Sequence, residues 1–246
     1  IGLEPPKNIF AHGWWTVNGQ KMSKSLHNVV EPNNLVDLFG VDVIRYFLLR
    51  EVPFGMDGDF SHKALIGRLN SDLANNLGNL LNRTVNMMKK FFDGVIPTPG
   101  AEGPEDAPLT EKAGEVIADV DKLYNELAFN KILQNIWELV DTTNQYIDKT
   151  GPWHLVKTEE GKERLKTVMY NSAESLRVLG VLLYPFMPQS MESLMNQLGV
   201  ETSITEQGMN SVKSWGGLKP GSQTQKAKQL FPRIEDKQAD KILAEV

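Results

Sequence analysis

A mainly α protein is predicted, an antiparallel helical bundle preceded by a small mixed α/β segment. Three observations predict it. Apolar residues recur at helical spacing from residue 63 to residue 183, the signature of helices that bury one side. Pro- and Gly-rich stops cut that pattern into helix-length pieces. The first sixty residues read differently, opening with a short β-branched and aromatic run between Pro and Gly, as a strand or hairpin does.

Taken in order, "IFAHGWWTVNG" fits that hairpin, and "VNGQKMSKSLHNVVEPNNL" comes next as a loop with two lysines, Lys21 and Lys24. Leu35, Val36, Leu38 and Phe39, then Val43, Ile44, Phe47 and Leu48, give helical periodicity broken at Gly40. "PFGMDGDFS" is a turn-rich connector, and Ser61 is placed to cap the helix beyond it. Residues 63–92 read as one long helix through Ile66, Leu69, Leu73, Leu77, Leu80, Leu81, Met88 and Phe91. "DGVIPTPGAEGPEDAP" reads as an exposed loop. Further helices are expected over 110–127, from Phe129 to Ile147 with a stop at Gly151 and Pro152, over 161–183 as an amphipathic helix, and from Pro188 to Gly199. In the tail, Leu230 and Phe231 are expected to pack back on the core, with the last ten residues linker-like. The expected division is 1–62, 63–233 and 234–246. Helices at this spacing pack most economically as a bundle.

Composition narrows the function. A net charge of −5, from 26 Lys and Arg against 31 Asp and Glu, argues against a uniformly basic nucleic-acid binder and leaves room only for a local patch. The absence of cysteine removes disulfides, thiol nucleophiles and Cys-based zinc sites. The four histidines, at 12, 27, 62 and 154, are too scattered to suggest a metal site, and His12 and His62 read as buried or surface imidazoles. No apolar run reaches the length of a membrane span. The chain begins at Ile1 at full complexity and reads as a piece of a longer protein.

Two features ask for a reason. If residues 63–92 are one α-helix, Arg68, Asp72, Asn75, Asn79, Asn82, Arg83 and Asn86 share an arc opposite the leucines. Asparagine is a poor helix former, so the face serves either helix-to-helix hydrogen bonds or the reading of base edges by amide and guanidinium groups. Trp153, in "KTGPWHLVK", is either a core plug or an exposed stacking platform.

"KMSKS", at Lys21, Met22, Ser23, Lys24 and Ser25, matches the second signature of class I aminoacyl-tRNA synthetases. With "GWWTVNGQ" before it, "NVVEP" and "DVIRYFLLRE" after it, and "DLANNLGNLLNR", "TGPWHL" and "LFPRI" beyond, nearly the whole chain resembles the methionyl-tRNA synthetase family. The resemblance implies the end of a catalytic region and a helical anticodon-binding domain. It implies ATP, with magnesium, as a reactant of the full-length enzyme, with none expected bound to this piece. It further implies a cytoplasmic location and methionine tRNA as partner through its CAU anticodon. Lys21 to Ser25 would form the ATP-binding loop. Lys24 would stabilise charge on the leaving pyrophosphate, Lys21 would support it, and Ser23 and Ser25 would shape the loop. Asn79, Arg83 and Trp153 would read the anticodon. Asn75, Asn82 and Asn86 gain no role and are taken as structural.

The chain departs from the family at two points. His27 stands where the family usually has Gly, so a Cβ either restricts loop closure or needs a side chain that tolerates left-handed backbone. The first class I signature, His-x-Gly-His, is absent from the sequence, so the piece alone is expected to be inactive, its N-terminal catalytic domain missing. Dimerisation through a C-terminal extension is compatible with the reading. A stand-alone tRNA-binding module and a helical interaction domain are the alternatives.

Overall fold

The computed structural model describes residues 2–17, 19–26 and 28–245. Strand β1 (Trp15–Val17) pairs antiparallel with β2 (Gln20–Lys21), setting Thr16 opposite Lys21 and Val17 opposite Gln20. Just before β2, Gly19 has φ +71°, a conformation glycine adopts without a Cβ penalty. The Asp59 carboxylate braces the turn, accepting the Gly19 N–H at 2.8 Å and the Thr16 hydroxyl at 2.6 Å. Strand β3 (Gly58–Phe60) lies parallel on the other edge of β1. The chain therefore leaves the sheet after β2, traverses the lysine loop and two helices, and returns.

Those helices are α1 (Pro32–Phe39) and α2 (Val41–Glu51), separated at Gly40, whose φ is +82°. They bury Leu35, Phe39, Tyr46 and Phe47, and Phe47 meets Phe60 of β3 edge to face at 5.6 Å. Half-buried His62 packs on the same Phe60 ring at 4.9 Å, and burial lowers its pKa, because a charged imidazolium loses hydration there. His12 is exposed.

Residues 62–92 are continuous but not one α-helix. Helix α3 (His62–Arg68), capped by the Ser61 hydroxyl accepting the Ala64 N–H at 3.3 Å, runs into a π-helical stretch, Leu69–Gly78, and then into α4 (Asn79–Phe92). Leu65, Leu69, Leu73 and Leu77 are all buried, a step of four residues that is wider than the α period. The wider turn splits the expected polar arc. Arg68 and Asp72 turn inward, where Asp72 accepts from the Tyr46 hydroxyl at 2.8 Å and from Arg68 at 3.2 Å, and Arg68 also pairs with Glu51 at 3.0 Å.

The bundle is completed by α5 (Asp106–Asn125), α6 (Phe129–Thr150), the single turn α7 (Pro152–Leu155), α8 (Glu159–Leu183), α9 (Pro188–Gln197) and α10 (Ile204–Gln207). The amphipathic reading of 161–183 is corrected here, since every residue from 167 to 183 is buried. α8 is the central post, packed by α4, α5, α6 and α9. Its polar residues are consumed inside. Glu174, fully buried, holds Arg177 in a bidentate pair at 2.7 and 2.8 Å and accepts the backbone N–H groups of Gly216, Gly217 and Leu218 at 2.8–2.9 Å.

Two further expectations are corrected. The 93–105 loop is not wholly exposed: Ile96 is buried, and its N–H donates to the Ser222 carbonyl at 2.9 Å. The tail is not linker-like, because Asp236–Glu245 forms a helix, α11, that packs on α3 and buries Ile242. Apolar positions at Ala239 and Ile242 give it an inward side, which the surrounding Lys, Asp and Gln obscured in the sequence. Phe231 packs on the core as expected, and the Asn70 amide bonds both the N–H and the carbonyl of Ile234 at 2.9 and 2.8 Å.

Candidate functional site

The lysine loop is built on the sheet edge. Lys21 ends β2, and its ammonium lies over the Trp14 ring, 5.3 Å from the centroid. Met22 packs partly against the core. The Leu26 N–H donates to the Ser23 carbonyl at 3.1 Å, closing a short 3-10 turn over Lys24–Leu26, and the Ser23 and Ser25 hydroxyls bond each other at 2.7 Å. Asn28 ties this turn back to the strand: its side-chain oxygen accepts the Ser23 N–H at 2.8 Å and its NH₂ donates to the Lys21 carbonyl at 3.2 Å. Lys24 is exposed and makes no ion pair among the described residues. Two ammonium groups on a braced turn with adjacent hydroxyls suit a polyphosphate, whose charge flexible lysines can follow. His27 lies outside the described residues.

The second group lies on α4, α6 and α7. Asn79 is exposed, with no side-chain hydrogen bond among the described residues. Arg83, one helical turn on, is half-exposed and donates to Asp148 of α6 at 2.6 Å. α6 ends at Gly151, whose φ of +55° turns the chain into α7. Buried Pro152 anchors that turn, and Trp153 stands 42% exposed beside His154, their rings 5.9 Å apart. Trp153 is therefore not a core plug. The structure brings Arg83 to the end of α6 that carries Trp153, five residues beyond Asp148.

The bonds between helices are made by other asparagines than the sequence pattern suggests. Asn76 donates to Asp141 at 2.6 Å and accepts from Asn144 at 2.7 Å, both on α6. Among the described residues Asn82 and Asn86 bond each other at the surface, and Asn75 is exposed. The asparagines seen bonding to other segments are Asn70, Asn76 and Asn144. The residues missed were Asn28 and Asp148. Both act through contacts between segments, and no spacing signal in the sequence marks them.

The model of the class I tRNA synthetase (M) family matches residues 1–85, and that of the anticodon-binding domain of methionyl-tRNA ligase matches residues 96–245. The chain belongs to the methionyl-tRNA synthetase family. The methionine–tRNA ligase of Caldanaerobacter subterraneus is 51% identical over 235 residues, covering 96% of this chain and 36% of that protein. The Bacillus subtilis protein of the same name is 45% identical over 236 residues, covering 96% and 35%. The structure of Mycobacterium tuberculosis methionyl-tRNA synthetase in complex with methionyl-adenylate superimposes with a TM-score of 0.87 at 38% identity, covering 94% of this chain and 45% of that one. The chain thus spans about a third of the length of its curated methionyl-tRNA synthetase relatives. No helix among the described residues is long and apolar enough to cross a membrane.

Proposed function

We propose that this chain is the part of a cytoplasmic methionine–tRNA ligase that supplies the ATP-facing lysine loop and reads the CAU anticodon of methionine tRNA. In the whole enzyme the methionine carboxylate attacks the α-phosphorus of ATP and the bond to pyrophosphate breaks. Lys24, with Lys21 in support, meets the charge that develops on the departing pyrophosphate, an electrostatic stabilisation of the kind that dominates phosphoryl chemistry. Magnesium accompanies the triphosphate. The division at residue 62 is part of this proposal: α3 begins at His62, and the residues proposed to read the anticodon all lie beyond it.

The observation that carries the reading is the exposed indole of Trp153, five residues beyond the Asp148 that the half-exposed Arg83 of α4 reaches, with the exposed amide of Asn79 one turn back along α4. Splayed bases stack on such rings and hydrogen-bond through their Watson–Crick edges to such groups. Binding of the chain to an RNA hairpin with a CAU loop, against one with a scrambled loop, tests it at a stated moderate salt. Preference for CAU that disappears in Trp153→Ala supports the reading. Equal binding to both loops overturns it. The sequence lacks His-x-Gly-His, so the chain alone is expected not to exchange pyrophosphate into ATP in the presence of methionine.

A further inference from the structure

We propose that Asn28 is a positioning residue for Lys24, an assignment that rests on the reading of the lysine loop as ATP-facing. The loop leaves β2 at Lys21 and regains the body of the protein toward α1 at Pro32. Within it, the Ser23 carbonyl to Leu26 N–H bond and the Ser23–Ser25 hydroxyl contact hold the turn together internally. Neither of them fixes the turn relative to the sheet.

Asn28 does. Its planar amide accepts from Ser23 N–H and donates to the Lys21 carbonyl, two backbone groups on either side of Met22. Among the described residues these are the hydrogen bonds that link the Lys24 turn to the strand. One rigid group satisfying both sets the angle at which the chain enters the turn, and so the direction from which Lys24 approaches. Lys24 itself makes no ion pair among the described residues, so its placement is inherited from the backbone beneath it. Asparagine suits the task because it offers a donor and an acceptor in one plane; aspartate at this position would present two acceptors and face the Lys21 carbonyl with a repulsive contact. Below this bridge, Asp59 secures the hairpin through Thr16 and Gly19, so the support runs unbroken from β3 to the Lys24 turn.

A charge-stabilising group displaced by about an ångström loses much of its effect on the transition state, so Asn28 acts on turnover rather than on methionine binding. The test uses a full-length ligase carrying this sequence and follows methionine-dependent pyrophosphate exchange. Asn28→Ala and Asn28→Asp are each expected to lower kcat by about tenfold or more, with the KM for methionine unchanged and CAU-hairpin binding unchanged, the latter reporting an intact fold. Lys24→Ala is assayed beside them. If Lys24→Ala is crippled while both Asn28 variants turn over at the parent rate, the positioning role is overturned and the ATP-facing reading stands. If Lys24→Ala itself is unimpaired, the reading of the loop fails and the proposal with it. A rise in the methionine KM with kcat preserved also overturns it, since Asn28 would then serve substrate binding.

Discussion

The Tyr46 hydroxyl donates to the Asp72 carboxylate at 2.8 Å, joining α2, which lies beyond the lysine loop, to the π-helical stretch that leads into the anticodon-reading helix. Burial, and then Asp72, push the Tyr46 pKa far above its ordinary value, so the phenol stays protonated and donating. Tyr46 also meets Trp137 of α6 with ring centroids 4.7 Å apart. Tyr46→Phe keeps that ring contact and removes one hydrogen bond to a carboxylate that retains Arg68. A loss of about 1–2 kcal/mol in urea unfolding, at unchanged m, is the expected result.

Glu174→Ala is expected to be the most damaging single change. It strands the Arg177 guanidinium and three backbone N–H groups in the interior, and breaking one side of a buried pair costs about 3–5 kcal/mol. Chemical denaturation measures the loss. A cost below about 1 kcal/mol would mean that residues 211–218 stay docked without this carboxylate.

Trp153→Ala and Asn79→Ala separate recognition from stability. Both side chains are exposed, so unfolding midpoints should move little, whereas stacking lost with the indole lowers CAU-hairpin affinity by about tenfold. Arg83→Lys keeps a charge near Asp148 but loses the planar donor fork, and titration of the hairpin should detect weaker discrimination between CAU and scrambled loops.

Acid should expose the Asp106 cluster. Burial pushes this carboxyl's pKa up, but hydrogen bonds from Arg164, Tyr146 and the Gly103 N–H outweigh it, and the folded value lies below the ordinary 3.8. The unfolded chain therefore takes up the proton first. The stabilisation is present above about pH 4 and is lost as pH falls through the lowered folded value. Asp106→Asn should be less stable than the parent near neutrality and should show a flatter decline below pH 4, as read by unfolding midpoints across pH.

Where a signal is local, the sequence carried it. Gly40 and Gly151 mark real breaks, Ser61 caps its helix, and Phe231 returns to the core. The π-helical stretch was invisible, because leucines spaced by four satisfy an α pattern nearly as well. The buried side of α8 was misread for a related reason: Asn171, Glu174 and Arg177 look like a solvent face until their partners, Trp215, Gly216 and Ser211, come from a loop some forty residues away. For the sites, the motif located Lys21 and Lys24, but nothing in the spacing announced Asn28 or Asp148, whose value lies in what folding brings beside them.

The π-helical stretch has a consequence for insertions and deletions. Residues 69–78 set the angular phase between α3 and α4, and one α-helical residue corresponds to about 100° of rotation. Removing a single residue between Leu69 and Gly78, where the wider π turn makes each step somewhat smaller than that, would still swing Asn79 and Arg83 through most of a right angle, taking Arg83 away from α6 while every side chain of α4 remains chemically intact. The orientation of the reading surface is thus encoded in the residue count of its stem as much as in the identity of the amides it displays.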